Sequence, residues 1–256
     1  MKILKAFCLC TLSLLFAISS CNKPTPDPGP EPGPDPTPTP TPDPTPAITN
    51  LQPVDLGVSV LWADRNLGAA DVADLGDFYA WGETETKDNY DWSTYKWANG
   101  SQSSITKYNT RSEYGSVDDI FRLMPEDDAA VVATDGVWRM PTRAEFEELM
   151  SACQWKTETM TNSDGNEIFG YQVTGSSGDN VIFLPAAGCI LGTGFNKRGE
   201  YGLYPTSDLC TAEKNYYGYG DDYCWYFFFQ SGERIIYGDS RARGWTIRPV
   251  KSKPQK

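Results

Sequence analysis

Proline occupies every even-numbered position from residue 24 to residue 46, with Thr, Asp, Gly and Glu between the prolines. Each proline removes a backbone hydrogen-bond donor and fixes φ, so this segment can form neither an α-helix nor a sheet ladder. We predict an extended, solvated polyproline II segment, which at about 3.1 Å per residue spans roughly 70 Å. Residues 21–47 are therefore interpreted as a stalk, which leaves residues 48–256 for one globular domain.

Residues 1–20 have the pattern of a secretory signal peptide. Two lysines precede an apolar stretch, residues 6–18, which is shorter than the ~20 apolar residues that cross a bilayer. The stretch leads into Ile-Ser-Ser-Cys, which resembles the bacterial lipobox, where the cysteine becomes the new N-terminus and carries lipid. We therefore predict a lipid anchor on Cys21 and a location at the bacterial outer membrane or cell surface. Ordinary cleavage and an uncleaved anchor helix are the alternatives.

The composition of the chain argues against several classes of function. Its formal net charge of −12 opposes electrostatic binding to nucleic acid. It contains no histidine, which removes Ser-His-Asp and Cys-His catalysis and histidine-ligated zinc. We predict that the protein is not an enzyme and has no nucleic-acid partner, although catalysis by carboxylates, lysine or cysteine stays open.

Short apolar and aromatic runs, separated by glycine and turn residues, predict many short strands. Thr142-x-x-Glu145 is a capping box that begins one helix, and residues 126–133 are predicted as a second helix with an acidic start. The predicted strands are residues 54–62, 78–81, 169–174, 181–184, 203–209, 223–230, 234–237 and 246–250. Two helices with mostly antiparallel short strands and long ordered loops give an α+β class.

Four cysteines lie in the domain, and their spacing matches no zinc-finger pattern. Cys210 and Cys224 fall near the ends of two strands that we expect to pair. Export places the domain where disulfides persist, so we predict a disulfide between these two cysteines. Cys153 is interpreted as an inert thiol on the core-facing side of the capped helix.

Six short motifs follow one another along residues 51–251. They are Val54-Asp55-Leu56-Gly57 with Trp62-Ala63, Gly76-Asp77-Phe78-Tyr79-Ala80-Trp81-Gly82-Glu83, Glu126-Asp127-Asp128-Ala129-Ala130, Trp138-Arg139-Met140-Pro141-Thr142, Phe183-Leu184-Pro185-Ala186-Ala187-Gly188 and Ile247-Arg248-Pro249-Val250. In this order they resemble the Fibrobacter succinogenes major paralogous domain, a family common in lipoproteins of the Bacteroidetes. The resemblance implies a C-type-lectin-like fold, related to that of the formylglycine-generating enzyme, and no established activity.

A lectin-like fold raises the question of calcium-dependent sugar binding. The Glu-Pro-Asn and Gln-Pro-Asp triplets of such sugar sites do not occur in this sequence. Two acidic pairs, Asp127-Asp128 and Asp221-Asp222, carry oxygen ligands of the kind that calcium takes, but neither lies in a loop of alternating ligands. We therefore predict no metal site and no cofactor, and calcium stays open as an alternative that no motif supports. For Asp127-Asp128 the preferred interpretation is helix capping and pairing with an arginine.

The binding surface is predicted on the long irregular segments, residues 84–116, 191–202, 211–222 and 239–244, because loops on a rigid scaffold usually carry binding residues. Aromatic faces stack on sugars, and carboxylates accept hydrogen bonds from sugar hydroxyls. The candidate ligand contacts are Tyr216, Tyr217, Tyr219 and Asp222, with Trp92 and Trp97 as a second patch. The expected function is non-catalytic binding or adhesion to a glycan or a protein partner. The alternatives are a carboxylate-type glycan-processing enzyme, which needs two carboxyls about 5–10 Å apart, and a purely structural lipoprotein.

Overall fold

The computed structural model describes residues 50–211 and 220–254 of the chain. The predicted signal peptide, Cys21 and the proline-rich stalk lie outside the described residues, and so do Tyr216, Tyr217 and Tyr219. The described residues fold into small antiparallel sheets with few helices.

Thirteen short strands and two α-helices make up the regular structure of the described part. The strands are β1 (Pro53–Val54), β2 (Val60–Ala63), β3 (Phe78–Tyr79), β4 (Gln154–Thr161), β5 (Glu167–Thr174), β6 (Val181–Pro185), β7 (Cys189–Leu191), β8 (Gly194–Asn196), β9 (Gly202–Leu209), β10 (Tyr223–Gln230), β11 (Glu233–Ser240), β12 (Trp245–Thr246) and β13 (Val250–Ser252). The helices are α1 (Ala129–Ala133) and α2 (Arg143–Ala152), with 3₁₀ turns at Ser112–Tyr114 and Pro125–Asp127. Every pairing between these strands is antiparallel, which confirms the α+β class.

The strands form five small sheets. Three of them have three strands, in the orders β1-β2-β13, β4-β5-β6 and β11-β10-β9, while β3 pairs with β12 and β7 with β8. In the first sheet, Trp62 lies opposite Val54 on one side and Val250 on the other. The two ends of the domain are therefore joined through β2, and the first and last sequence motifs form one sheet.

The segment predicted as one strand, residues 54–62, is instead a hairpin. β1 and β2 fold back on each other, so that Val54 lies opposite Trp62. The turn between them starts at Asp55, whose Oδ1 accepts a hydrogen bond from the N–H of Gly57 at 2.9 Å. Gly57 has a φ of +80°, a conformation that glycine adopts at little cost. The Asp-x-Gly turn signal was overlooked because the apolar residues around it suggested a single strand.

Two other predicted elements are interrupted. The predicted strand 246–250 contains the end of β12 and the start of β13, which belong to different sheets. The predicted helix 126–133 is broken at Asp128, which has extended backbone angles and accepts hydrogen bonds from the N–H groups of Ala130 and Val131. Asp128 is thus the N-cap of α1, as the interpretation of the acidic pair expected.

The capping box of α2 is confirmed. The side chain of Thr142 accepts a hydrogen bond from the N–H of Glu145, and the Glu145 side chain accepts one from the N–H of Thr142. The strand that follows, β4, was not predicted. It pairs with β5 along all eight of its residues. It lies at the edge of its sheet and is polar and largely exposed, so it lacks the apolar signal on which the prediction relied.

The largest hydrophobic cluster lies where α2 meets the sheets. The Phe146 ring centroid lies 5.0 Å from that of Trp62 and 5.0 Å from that of Phe227, and all three side chains are fully buried. Trp62 belongs to β2 and Phe227 to β10. Phe146 therefore packs α2 against two different sheets at once.

Arg248, in the motif Ile247-Arg248-Pro249-Val250, has a structural role in the core. Its guanidinium is fully buried and donates hydrogen bonds to Asn66 Oδ1 at 2.9 Å, to the Ala63 carbonyl at 3.1 Å and to the Phe183 carbonyl at 2.6 Å. Burial lowers its pKa to about 10, since the charge has left water. These three acceptors are an amide and two backbone carbonyls, from segments that are distant from Arg248 in the sequence.

A candidate ligand-binding cleft

An open cleft of about 480 Å³ lies where several loops meet. Its walls come from residues between 68 and 78, from residues 86–90, from the turn at 162–164 and from the β7–β8 hairpin with Arg198 beyond it. This volume is within the range of roughly 300–1,000 Å³ that is common for small-ligand pockets. Two of the segments predicted to be irregular and to bind, 84–116 and 191–202, contribute to this cleft.

Backbone hydrogen bonds fix the walls of the cleft to one another. The N–H of Tyr90 donates to the carbonyl of Gly192 at 2.7 Å, and the N–H of Gly192 donates to the carbonyl of Tyr90 at 3.0 Å. The Tyr90 hydroxyl donates to the carbonyl of Phe78 at 2.5 Å. The hairpin also pairs with the chain before β12, through Ile190 and Gly244. These contacts position the cleft on the scaffold.

Phe195 supplies an open apolar surface in the cleft. It lies in β8 and is 55% exposed, and its ring meets Phe78 edge-on with the centroids 5.5 Å apart. The Arg198 guanidinium lies 4.9 Å from the centroid of the Phe195 ring. An exposed phenyl ring with a cation beside it, in a concave surface, gives a ligand both an apolar contact and a polar one.

Asp74 is committed to holding the 162–164 turn in place. Its Oδ1 accepts hydrogen bonds from the N–H and the hydroxyl of Ser163 at 2.9 and 2.8 Å, and its Oδ2 accepts one from the N–H of Asp71 at 2.8 Å. Burial acts to raise the pKa of Asp74, but these hydrogen bonds outweigh that effect and the pKa lies below its usual value. Asp74 therefore stays ionised and structural.

Asp77 has a different environment in the same cleft. Asp77 is exposed to solvent, but the protein around it removes part of the water from its carboxyl, and this raises the pKa of Asp77. A hydrogen bond from the Tyr79 hydroxyl acts in the opposite direction. That hydrogen bond is long, at 3.4 Å. Gly68 makes room for the carboxylate, because a Cβ at Gly68 would lie 2.1 Å from Asp77 Oδ2. The sequence analysis did not single out Asp77, Phe195 or Arg198, although Phe195 and Arg198 lie in the predicted segment 191–202.

The predicted ligand contact Asp222 is not available at the surface. Its side chain is buried, with 6% exposed, and burial raises the pKa of its carboxyl. The neighbouring Asp221 is also buried and accepts a hydrogen bond from the N–H of Thr110, with Arg111 Nε 3.9 Å from its Oδ1. The prediction of Asp222 as a ligand residue is therefore wrong, because this side chain is buried in the fold.

The second predicted patch, Trp92 and Trp97, does not line the cleft. The indole N–H of Trp97 donates to the carbonyl of Gly82 at 2.6 Å, and the amines of Lys96 and Lys107 lie 4.3 and 4.9 Å from its ring centroid. Trp92 is half-buried and packs edge-on against a tyrosine. Both indoles serve to hold the 84–116 loop together.

Asp127, for which we predict pairing with an arginine, pairs instead with the two lysines near Trp97. Its carboxylate accepts hydrogen bonds from Lys107 Nζ at 2.5 Å, from the Tyr108 hydroxyl at 2.6 Å and from Lys96 Nζ at 3.5 Å. Burial acts to raise the pKa of Asp127, but the contacts with Lys107, Tyr108 and Lys96 lower it overall. The expected partner was an arginine, and the structure has two lysines instead.

Cys210 and Cys224 are thiols in the structure, so the predicted disulfide is not formed. β9 and β10 pair as predicted, but Leu209 lies opposite Cys224, and the N–H of Cys210 donates to the carbonyl of Tyr223 at 3.1 Å. Because side chains alternate along a strand, this register does not place the two thiols opposite each other. Burial raises the pKa of Cys224 well above its usual value. Cys153 is half-buried and follows the last residue of α2.

Within residues 50–211 and 220–254, no three side chains of Cys, Asp or Glu come together as metal ligands would. No helix in the same two stretches has both the length and the apolar character needed to cross a membrane. Comparison of the chain with protein-family models, with curated proteins and with solved structures finds no match. The resemblance to the Fibrobacter succinogenes major paralogous domain therefore stays a prediction that rests on the sequence motifs.

Proposed function

We propose that this protein is a lipid-anchored lipoprotein of the bacterial outer membrane or cell surface, and that its lectin-like domain binds a glycan without catalysis. The observation that carries this proposal is the open cleft, in which the exposed Phe195 ring and the carboxylate of Asp77 face the same space. A sugar presents C–H groups on one face and hydroxyls around its edge. An apolar ring and a few placed polar groups meet both needs.

The shape of the site favours a glycan over a protein partner. A stable protein interface buries about 800 Å² on each side, over a broad surface. The cleft is concave and of about 480 Å³, with its polar and aromatic groups at close range. This size suits one or two sugar residues better than a protein surface.

The carboxylates of the cleft favour binding over catalysis. A carboxylate-type glycosidase needs two carboxyls that can both react, one of them protonated. Asp74 is held by Ser163 and the backbone of Asp71, so its oxygens are occupied. Asp164 lies on an exposed turn where solvent reaches it, which does not suit a general acid. Asp77 also lines the cleft, and its pKa is raised, as a general acid needs. The second reactive carboxyl that a glycosidase needs is not among the described residues that line the cleft.

A glycan array tests the proposed binding. We expect the detergent-solubilised full chain to bind a defined set of glycans, and Phe195→Ala to weaken that binding about tenfold, since a lost aromatic contact is worth ~1.4 kcal/mol or more. Phe121→Ala is the matched control, because Phe121 is equally exposed at 55% and lies outside the cleft. An array without a bound glycan, or equal binding by both variants and the unmodified chain, would contradict the proposal.

The anchor is tested separately, because Cys21 lies outside the described residues and its lipidation rests on the lipobox. We expect Cys21→Ala to move the protein from the membrane fraction to the soluble fraction. Several acyl chains at ~0.8 kcal/mol per buried CH₂ hold a protein firmly, and removing the attachment site removes all of them. Cys10→Ala changes a cysteine of the leader and should leave the protein in the membrane. Retention of Cys21→Ala with an unchanged intact mass would show that the anchor is elsewhere.

A further inference from the structure

The Asp77 carboxylate has few partners among the residues that the structure describes. The hydrogen bond that it accepts from the Tyr79 hydroxyl is 3.4 Å long. No ion pair to Asp77 forms within the described ranges 50–211 and 220–254. Loss of water raises its pKa, and the Tyr79 hydrogen bond offsets only part of that rise. Within the described part of the chain, this negative charge is therefore poorly compensated.

Neither cation that lines the cleft is paired with Asp77 in the part of the chain that the structure describes. Lys87 Nζ donates to Glu83 Oε1 at 2.9 Å and to the carbonyl of Thr94 at 3.0 Å, so Glu83 offsets its charge. Arg198 lies over the Phe195 ring. Asp74 and Asp164 add negative charge, so that three carboxylates and two cations line the cleft. The lining therefore has a net negative charge and suits a ligand that brings a positive charge.

Asp77 is exposed on the wall of the cleft, so a ligand group can reach its carboxylate. Gly68, at φ +78°, lies directly against Oδ2, where any side chain would collide with it. The glycine therefore allows the carboxylate to lie where it does in the cleft wall.

We propose that the cleft selects glycans that carry a protonated amino group, and that Asp77 pairs with that amine while Phe195 contacts the sugar ring. This inference rests on the proposed glycan-binding function. A charge-assisted hydrogen bond is about twice as strong as a neutral one, so the amine gains more from Asp77 than a hydroxyl does. A uronic acid in the same position would meet three carboxylates, those of Asp74, Asp77 and Asp164, and is disfavoured.

The test compares two series of oligosaccharides that differ in the amine alone. The detergent-solubilised full chain is titrated with glucosamine oligosaccharides and with fully N-acetylated oligosaccharides of the same length. We expect the free-amine series to bind about tenfold tighter. Asp77→Asn keeps the shape of the side chain and should abolish this preference, while affinity for the N-acetylated series stays within about twofold. Asp179→Asn, an exposed residue outside the cleft, makes the same change in net charge and should keep the preference.

The outcomes separate this inference from the function on which it rests. If the full chain binds both series equally, or if Asp77→Asn retains the preference, amine selection by Asp77 is excluded and glycan binding stands. If the chain binds lysine-rich peptides more tightly than any glucosamine oligosaccharide, the amine-bearing ligand is a peptide and not a glycan. The inference then fails. If no glycan binds at all, the proposed function fails with it.

Discussion

Replacing Arg241 with methionine is expected to lower the free energy of unfolding by about 3–5 kcal/mol. Arg241 is fully buried, and its guanidinium donates to the Tyr95 hydroxyl at 2.8 Å and to the carbonyls of Lys107, Tyr108 and Asp221 at 2.6, 2.7 and 2.9 Å. Methionine fills much of the space but donates no hydrogen bond. Three carbonyl oxygens would then lose a donor inside the protein, and each such loss costs roughly 1–3 kcal/mol.

The same substitution should loosen the 84–116 loop. Three of the four partners of Arg241 lie in this loop, and its guanidinium also lies 4.9 Å from the centroid of the Trp81 ring. Denaturant unfolding measures the stability, and hydrogen exchange of residues 84–116 measures the loop. Arg122→Met is the matched control, because that side chain is 60% exposed in a surface ion pair, which is worth at most about 1 kcal/mol. Equal stabilities of the two variants would show that Arg241 does not hold the loop.

Local signals in the sequence account for the parts of the fold that were predicted correctly. The capping box of α2 is read from two residues three positions apart, and its hydrogen bonds form within one turn. β10 is a run of aromatic and apolar residues, and this composition alone is typical of a strand, as is the apolar start of β9. In both cases the information lies within about ten residues.

The elements that were missed depend on contacts between distant segments. β4 is polar, and its pairing with β5 rather than its composition makes it a strand. The 191–202 segment was expected to be irregular, yet β7 and β8 form a hairpin there that is held by Tyr90 from a distant loop. Neither contact is visible in the sequence around the element.

The candidate site shows the same limit. Segments around residues 70, 88, 163 and 195 line the cleft, and nothing in the sequence brings these four together. The sequence instead predicts a binding site at residues 216–222, because tyrosines are frequent there. Asp222 is buried, and the neighbouring Asp221 contacts residues 110 and 111, about a hundred positions away in the sequence. Surface exposure of a loop residue therefore cannot be assumed from polarity and turn composition alone.

Phe146→Ala is expected to cost about 3–5 kcal/mol, because truncation of a buried phenylalanine removes its apolar contacts and leaves a cavity. The Phe146 ring lies between Trp62 of β2 and Phe227 of β10, at 5.0 Å from each ring centroid. A cavity at this position separates α2 from two sheets, which are held by many other contacts and cannot collapse to fill it. We therefore place the cost toward the upper end of the range for such substitutions.

Phe121→Ala provides the comparison for this core substitution within the same chain. Phe121 is 55% exposed, so the same truncation at this position should change the free energy of unfolding by no more than about 0.5 kcal/mol. Denaturant unfolding of both variants gives the two values directly, and the slope with denaturant checks that both unfold in the same way. A cost below about 1 kcal/mol for Phe146→Ala would mean that the packing of α2 does not depend on this aromatic contact.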